Sequence, residues 1–171
     1  MAHKQWAKVW RDVGLSTRLA ALMERDPVSY GLFWHLKALA DDFGRYPNDP
    51  ERFLMEGAQR MLLNGVITPL NGVQALSNYV ELGLARLYEV DGVEYLELCD
   101  FHTHERPNWG SVSAPEYPAP PDWTPPPSLV EFLENNYGKR NITARRYGIT
   151  PENAPKSLQK RIRAEYEPRS T

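Results

Sequence analysis

The stretch Leu84-Ala-Arg-Leu-Tyr-Glu-Val-Asp-Gly-Val-Glu-Tyr-Leu-Glu-Leu-Cys99 decides how this chain is read. Apolar residues recur at alternate positions on both sides of Asp91-Gly92. That pair suits a two-residue type I′ turn, in which both central residues need positive φ. The spacing predicts an antiparallel hairpin in which Leu87 faces Leu96 and Ala85 faces Leu98 on a core side. Arg86 then faces Glu97, and Tyr88 faces Tyr95, on a half-wet side.

Upstream of the hairpin the period is helical. Ser16 is placed to N-cap a helix over Thr17–Glu24 carrying Leu19, Leu22 and Met23. Asp26-Pro27 restarts a helix through Val28, Leu32, Leu36 and Leu39, with Gly44 as its stop. Asn48-Asp49-Pro50 opens a third through Phe53 and Leu54. Val73–Leu82 forms a fourth, with Val73, Leu76, Tyr79 and Val80 on one face and Gly83 at the position past its end. Trp6-Ala-Lys-Val-Trp10 reads as a brief strand or lead-in. Helices leading directly into a hairpin give the order of a winged helix, so the fold class is mainly α with a β-hairpin wing. A winged helix-turn-helix body is followed by a small helical C-terminal tail.

Seven of the 15 prolines fall between Pro115 and Pro127. A segment so poor in backbone donors favours extended polyproline geometry, and residues 114–127 are expected to be a linker between a body over 1–113 and a basic tail over 128–171. With 171 residues, 42% hydrophobic and 25% charged, the chain has a globular composition and is too short for a large multi-domain enzyme. No apolar run approaches a membrane span or a signal peptide, and the single cysteine, Cys99, makes no internal disulfide. These features point to a cytoplasmic protein with no membrane partner.

The segments Trp34-His-Leu-Lys-Ala-Leu-Ala-Asp-Asp-Phe-Gly-Arg45, Asn48-Asp-Pro50, Gly83 to Leu96 and Phe101-His-Thr-His104, with the proline-rich exit behind them, carry a resemblance. Over roughly residues 15–121 they resemble phage replication-initiation or replisome-organiser proteins with a DnaD-like N-terminal winged-helix domain. The stretch between Pro50 and Gly83 is longer than in such proteins, and His104-Glu105 stands where they commonly carry His-Gln. The resemblance implies a DNA-replication role in a bacterial host cell, self-assembly into a homo-oligomer, and a replication protein as partner.

Charge divides the chain. Residues 1–127 hold 11 Lys and Arg against 17 Asp and Glu, a net −6; residues 128–171 hold 9 against 5, a net +4. A winged helix reads DNA with the helix before the wing, and the exposed residues expected there are Gln74, Ser77, Asn78 and Glu81. Gln and Asn can pair with adenine edges, yet the helix has no Lys or Arg to neutralise phosphate. The hairpin sets Arg86 against Glu89, Asp91, Glu94 and Glu97. The body therefore suits self-association or a protein partner, with Gln74, Ser77 and Asn78 as second-choice base readers.

The tail is the better candidate for DNA, duplex or single-stranded. Ser128-Leu-Val-Glu131 has the capping-box pattern for a helix with Leu129, Phe132, Leu133 and Tyr137. Ile142–Thr150, with small Ala144 and Gly148, is similar to the second helix and turn of a helix-turn-helix, although Pro151 and Pro155 delay the helix that follows. Lys156–Tyr166 would then point Leu158 and Ile162 inward. Arg145, Arg146, Lys156, Lys160, Arg161 and Arg163 are the expected phosphate contacts. A transcriptional regulator reading an operator and a protein adaptor without DNA affinity are the alternatives.

No catalytic signature is present: no phosphate-cradling glycine loop, nucleophile elbow or HExxH motif occurs, so no enzyme and no cofactor are expected. Cys99, His102 and His104 supply three candidate ligands without a fourth and are read as strand and exit-loop residues rather than a metal site. His35 reads as a packing residue, and Asp41 and Asp42 as a solvated helix end. Trp6, Trp10 and Trp34 belong to the folded body. Trp109 and Trp123 lie where nothing obliges burial, and stacking on single-stranded bases is an open alternative for Trp123.

Overall fold

The computed structural model describes residues 16–105, 107–139 and 142–167 and divides the chain into two compact units, Met1–Glu105 and Arg106–Thr171. The expected lead-in over Trp6–Trp10 lies outside the described residues.

The first unit is mainly helical with a small antiparallel sheet. Helix α1 (Thr17–Arg25) starts at Ser16, whose hydroxyl accepts from the Leu19 amide at 3.3 Å. Helix α2 (Pro27–Leu39) starts at Asp26, whose carboxylate accepts from Val28 N. It ends five residues short of Gly44 because Asp41 folds back and accepts from both Phe43 N and Arg45 N, each at 2.9 Å. Asp41 is therefore a half-buried turn former rather than a solvated helix end. Gly44, at φ +79°, turns the chain against the Phe101 ring into β1 (Arg45–Pro47). Three residues are too few to show a period, and this strand was not legible in the sequence.

Helix α3 (Pro50–Gly57) starts at Asp49 as expected and is followed by one turn, α4 (Gln59–Leu63). Helix α5 (Pro69–Glu81) begins four residues before Val73. Thr68 and Asn71 form a capping box over Pro69, and Gly72, inside the helix, lies where a Cβ would sit 2.9 Å from Leu54 Cδ1. The close approach of α3 and α5 requires that glycine.

Strands β2 (Ala85–Val90) and β3 (Val93–Leu98) pair through the expected partners, Leu87 with Leu96, Ala85 with Leu98, Arg86 with Glu97 and Tyr88 with Tyr95. Asp91 and Gly92 take positive φ at the turn. Strand β1 adds to the other side of β3, giving the order β1-β3-β2. The short helix α6 (Phe101–Glu105) closes the unit. Leu22, Leu32, Leu36, Phe53, Ala75 and Tyr79 are buried between the helices, and Leu96 and Leu98 carry the sheet onto them.

The second unit overturns the linker reading. Trp109, Val112 and Trp123 are each buried to about 5–6% exposure, and the proline-rich segment is part of this unit. Helix α7 (Pro127–Asn136) begins at Pro127, two residues earlier than the capping-box reading, which made Ser128 the cap. Ser128 therefore lies inside the helix, and its hydroxyl accepts from the Trp109 indole N–H at 3.2 Å instead of capping. Ile142–Thr150 forms only a single 3-10 turn at Arg145–Tyr147, ended by Gly148 at φ +65°, so this stretch does not supply the helix expected of a helix-turn-helix-like element. Helix α8 (Gln159–Tyr166) follows, with Leu158 and Ile162 buried as expected.

Candidate nucleic-acid interface

The six basic residues expected to meet phosphate divide into two groups. Arg146 donates to the carbonyls of Gly110 and Val112, and its guanidinium lies 5.6 Å from the centre of the Tyr147 ring. Tyr147, itself fully buried, donates to Trp109 O at 2.8 Å. Arg145 lies over the Tyr166 ring at 4.6 Å and 3.9 Å from the Glu165 carboxylate. Arg161 donates to Tyr137 O at 2.7 Å and covers the Tyr137 ring at 4.8 Å. These three arginines hold the unit's turns together.

Glu165 is the hub of that arrangement. Its carboxylate accepts from the Tyr137 hydroxyl at 2.6 Å, from Ala144 N at 2.9 Å and from Arg145 N at 3.2 Å. Burial, followed by the hydrogen bond to Glu165 and that residue's charge, pushes the Tyr137 phenol well above its ordinary range. The acid on α8 thus ties the helix to the 3-10 turn and to the end of α7.

Lys156, Lys160 and Arg163 form the second group. They stand at i, i+4 and i+7, with Lys156 in the turn that leads into α8. All three are exposed, on the face opposite Leu158 and Ile162. Among the described residues none of the three side chains makes a hydrogen bond or an ion pair, although the Glu152 carboxyl, held below its ordinary range first by a hydrogen bond with the Thr150 side chain, is also lowered by the Arg163 charge. Lys160 and Arg163 also border a shallow groove of about 300 Å³ with Gln159, Ala164 and Glu167. A row of cations one helical face long, uncommitted to internal acceptors, has the chemistry of a phosphate-contacting surface.

The expected base readers on α5 fare differently. Asn78 is 1% exposed: its amide N–H donates to Ser29 Oγ at 3.2 Å and to Asp26 at 3.4 Å, while its oxygen accepts from Gln74 at 3.0 Å and Arg25 at 3.4 Å. This corrects the expectation that Asn78 is exposed. Helix α5 packs against both α2 and α3, which rotates its buried arc away from Val73, itself 53% exposed, and toward Ala75 and Asn78. Gln74 and Ser77 remain exposed, and Ser77 donates to Glu81, which Arg25 also holds at 2.7 Å.

His102 sits half-buried with its ring edge-on to Phe43 and Phe101, whereas His104 is exposed. Among the described residues no group of three His, Cys, Asp or Glu side chains is assembled to hold a metal ion, and no helix is long and apolar enough to cross a membrane.

Comparison with known proteins matches no family model, no curated protein and no solved structure. The functional reading therefore rests on the chain's own residues.

Proposed function

We propose that this protein is a DNA-binding accessory factor of replication, of the replisome-organiser kind its sequence resembles. In this reading the second unit grips nucleic-acid phosphates through α8. The first unit, taken as a winged helix, self-associates or holds a replication partner in a bacterial cytoplasm. The role is binding rather than catalysis. The observation that carries the reading is the exposed row of Lys156, Lys160 and Arg163, whose side chains make no hydrogen bond or ion pair among the described residues.

The element order supports the winged-helix assignment: α2, β1, α3, α5 and then the β2–β3 hairpin, with β1 pairing on the far side of β3. Charge argues that this unit does not use the hairpin on DNA. Helix α5 has no Lys or Arg, and the hairpin's single Arg86 is paired with Glu97 at 2.6 Å, leaving Glu89, Asp91 and Glu94 unbalanced.

The test is retention of duplex and single-stranded DNA by the full chain over a salt series. Replacing Lys156, Lys160 and Arg163 together by Gln is expected to weaken binding regardless of sequence. It should also flatten the dependence of log K on log salt by about 0.9 for each duplex phosphate that is no longer neutralised. An unchanged slope overturns the assignment.

The acidic hairpin favours one second reading, a protein adaptor without DNA affinity. It predicts no DNA retention at low salt by the unaltered chain. The operator-reading regulator loses its leading base reader with Asn78 buried.

A further inference from the structure

Strand β2 lies at the edge of the sheet. A two-residue turn makes Val90 and Val93 a hydrogen-bonded pair, and antiparallel alternation extends that pattern to Tyr88 with Tyr95 and Arg86 with Glu97. The backbone N–H and C=O groups of Leu87 and Glu89 consequently point away from β3. The far side of β3 shows the complementary set, Glu94 O accepting from Asn48 N at 3.0 Å and Leu98 N donating to Gly44 O at 2.8 Å. Among the described residues nothing pairs with the outward backbone of Leu87 or Glu89. The strand carries neither proline nor bulge, two of the features that ordinarily protect an edge.

On the α5-facing side of the sheet a groove of about 300 Å³ is lined by Val73, Leu76, Ser77, Val80 and Glu81 of α5 and Leu87 of β2, and it reaches Asn48 and Pro50 at its other end. Val73 is 53% and Leu87 43% exposed, and Leu87 projects to the same side of the sheet as buried Leu96. The surroundings are acidic. The hairpin has four carboxylates and one arginine, and the first unit holds 15 Asp and Glu against 10 Lys and Arg.

We infer that the β2 edge and the α5–β2 groove form a docking site for an extended segment of another protein, which adds to β2 as a fourth strand. Apolar side chains on one face of the added strand would enter the groove beside Leu87, and a Lys or Arg on that same face, two residues nearer the turn, would meet Glu89 and Glu94. Main-chain bonds to Leu87 and Glu89 supply the attachment, and the side-chain pattern supplies selectivity. A second copy of this chain is the less favourable occupant, because it would bring two acidic hairpins together. The inference rests on the reading of the first unit as a partner-holding module and specifies that partner's chemistry.

The test uses the full chain and a nine-residue synthetic peptide that carries valine opposite Leu87 and lysine opposite Glu89 on one face, with threonine at the positions between. Two comparison peptides carry glutamate for lysine, or N-methyl groups on the backbone nitrogens that would face β2. The lysine peptide is expected to bind at or below about 1 mM, the glutamate peptide about tenfold more weakly, and the N-methylated peptide not at all. Amide exchange at Leu87 and Glu89 should slow about tenfold on binding, with Arg86 and Tyr88 unchanged.

Leu87→Pro removes an outward donor, a placement that edge strands tolerate, together with the leucine side chain of the groove, and should abolish binding, while Val73→Ser should weaken it. Equal binding of the N-methylated peptide, no protection at Leu87 and Glu89, or no binding at about 1 mM overturns the proposal. Protection that appears without peptide as the protein is concentrated assigns the edge to a second copy and also overturns it. DNA retention measured on the same samples separates the two readings. Loss of peptide binding alone removes the docking site, and loss of DNA retention alone removes the nucleic-acid role of α8.

Discussion

Glu97 stands on the central strand between Arg45 of β1 and Arg86 of β2, one carboxylate oxygen 3.8 Å from Arg45 Nε and the other 2.6 Å from Arg86 Nε. Arg45 is fully buried, and burial lowers its pKa against the opposing pull of Asp41 and Glu97, whereas Arg86 is 40% exposed. The row crosses all three strands, and Asp41 shares with Glu97 the negative charge that faces Arg45.

Removing Glu97 takes away one of the two carboxylates that face the buried Arg45 guanidinium and leaves Asp41 as the other. Glu97→Gln is therefore expected to destabilise the first unit by about 3 kcal/mol, and Arg86→Ala by about 1 kcal/mol or less, since water can replace the half-exposed partner. Urea unfolding followed by circular dichroism would compare them. Equal effects would mean that Arg45 draws its compensation elsewhere.

Asn78 gives a prediction that distinguishes a structural from a reading role. Asn78→Ala leaves the buried Ser29 hydroxyl and the Asp26 carboxylate without their shared donor, at a cost of about 1–3 kcal/mol. Retention of DNA by the folded protein should be unchanged. A variant of undiminished stability that lost sequence preference would restore Asn78 as a base reader.

What the sequence disclosed and what it concealed follow one physical division. The hairpin was legible because Asp91-Gly92 sets both turn and register, and α1, α2 and α3 because a capping side chain precedes each apolar run. The start of α5 was hidden because Asn71-Gly72 reads as a break, whereas Asn71 caps and Gly72 admits Leu54. Burial of Asn78 depends on packing between two other helices, which no single-helix period reports. The proline-rich segment was misread for a related reason. Prolines reduce the freedom lost on folding, so a few apolar anchors such as Trp109 and Trp123 can fix a stretch that has no regular secondary structure. Of the basic residues, the spacing of Lys156, Lys160 and Arg163 was readable, but the internal engagement of Arg145, Arg146 and Arg161 was not.

Tyr79 connects stability to alkaline pH. Its hydroxyl donates to Ser29 O at 2.7 Å, and burial, with the nearby Asp26 charge second, raises its pKa above the usual phenol value. The folded chain thus keeps a proton that the unfolded chain releases near pH 10. The associated stability is fully present below about pH 10 and is lost as the pH rises through the folded-state value. Tyr79→Phe should cost about 1 kcal/mol at neutral pH and make the decline above about pH 10 shallower by part of one proton. An unaltered alkaline slope would show that Tyr79 does not contribute to it.

Glu165 and Lys160 lie on the same short helix, and their substitutions should part company. Glu165→Ala removes the acceptor for Tyr137 O–H, Ala144 N and Arg145 N at once, and at a half-buried site this is expected to cost about 2–4 kcal/mol. Loss of structure would then withdraw the whole α8 face, so DNA retention should fall in proportion to the unfolded fraction and recover with stabilising osmolyte. Lys160→Gln touches no internal partner and should leave the melting temperature within the small range of ordinary surface changes. Its weaker DNA retention should not respond to osmolyte, and it should lower the salt slope by about 0.9. Differential scanning fluorimetry beside a salt-series binding assay reads both quantities on each variant. If Lys160→Gln instead lowers the melting temperature as Glu165→Ala does, the lysine holds the unit together, and α8 has no cation to spare there for a phosphate.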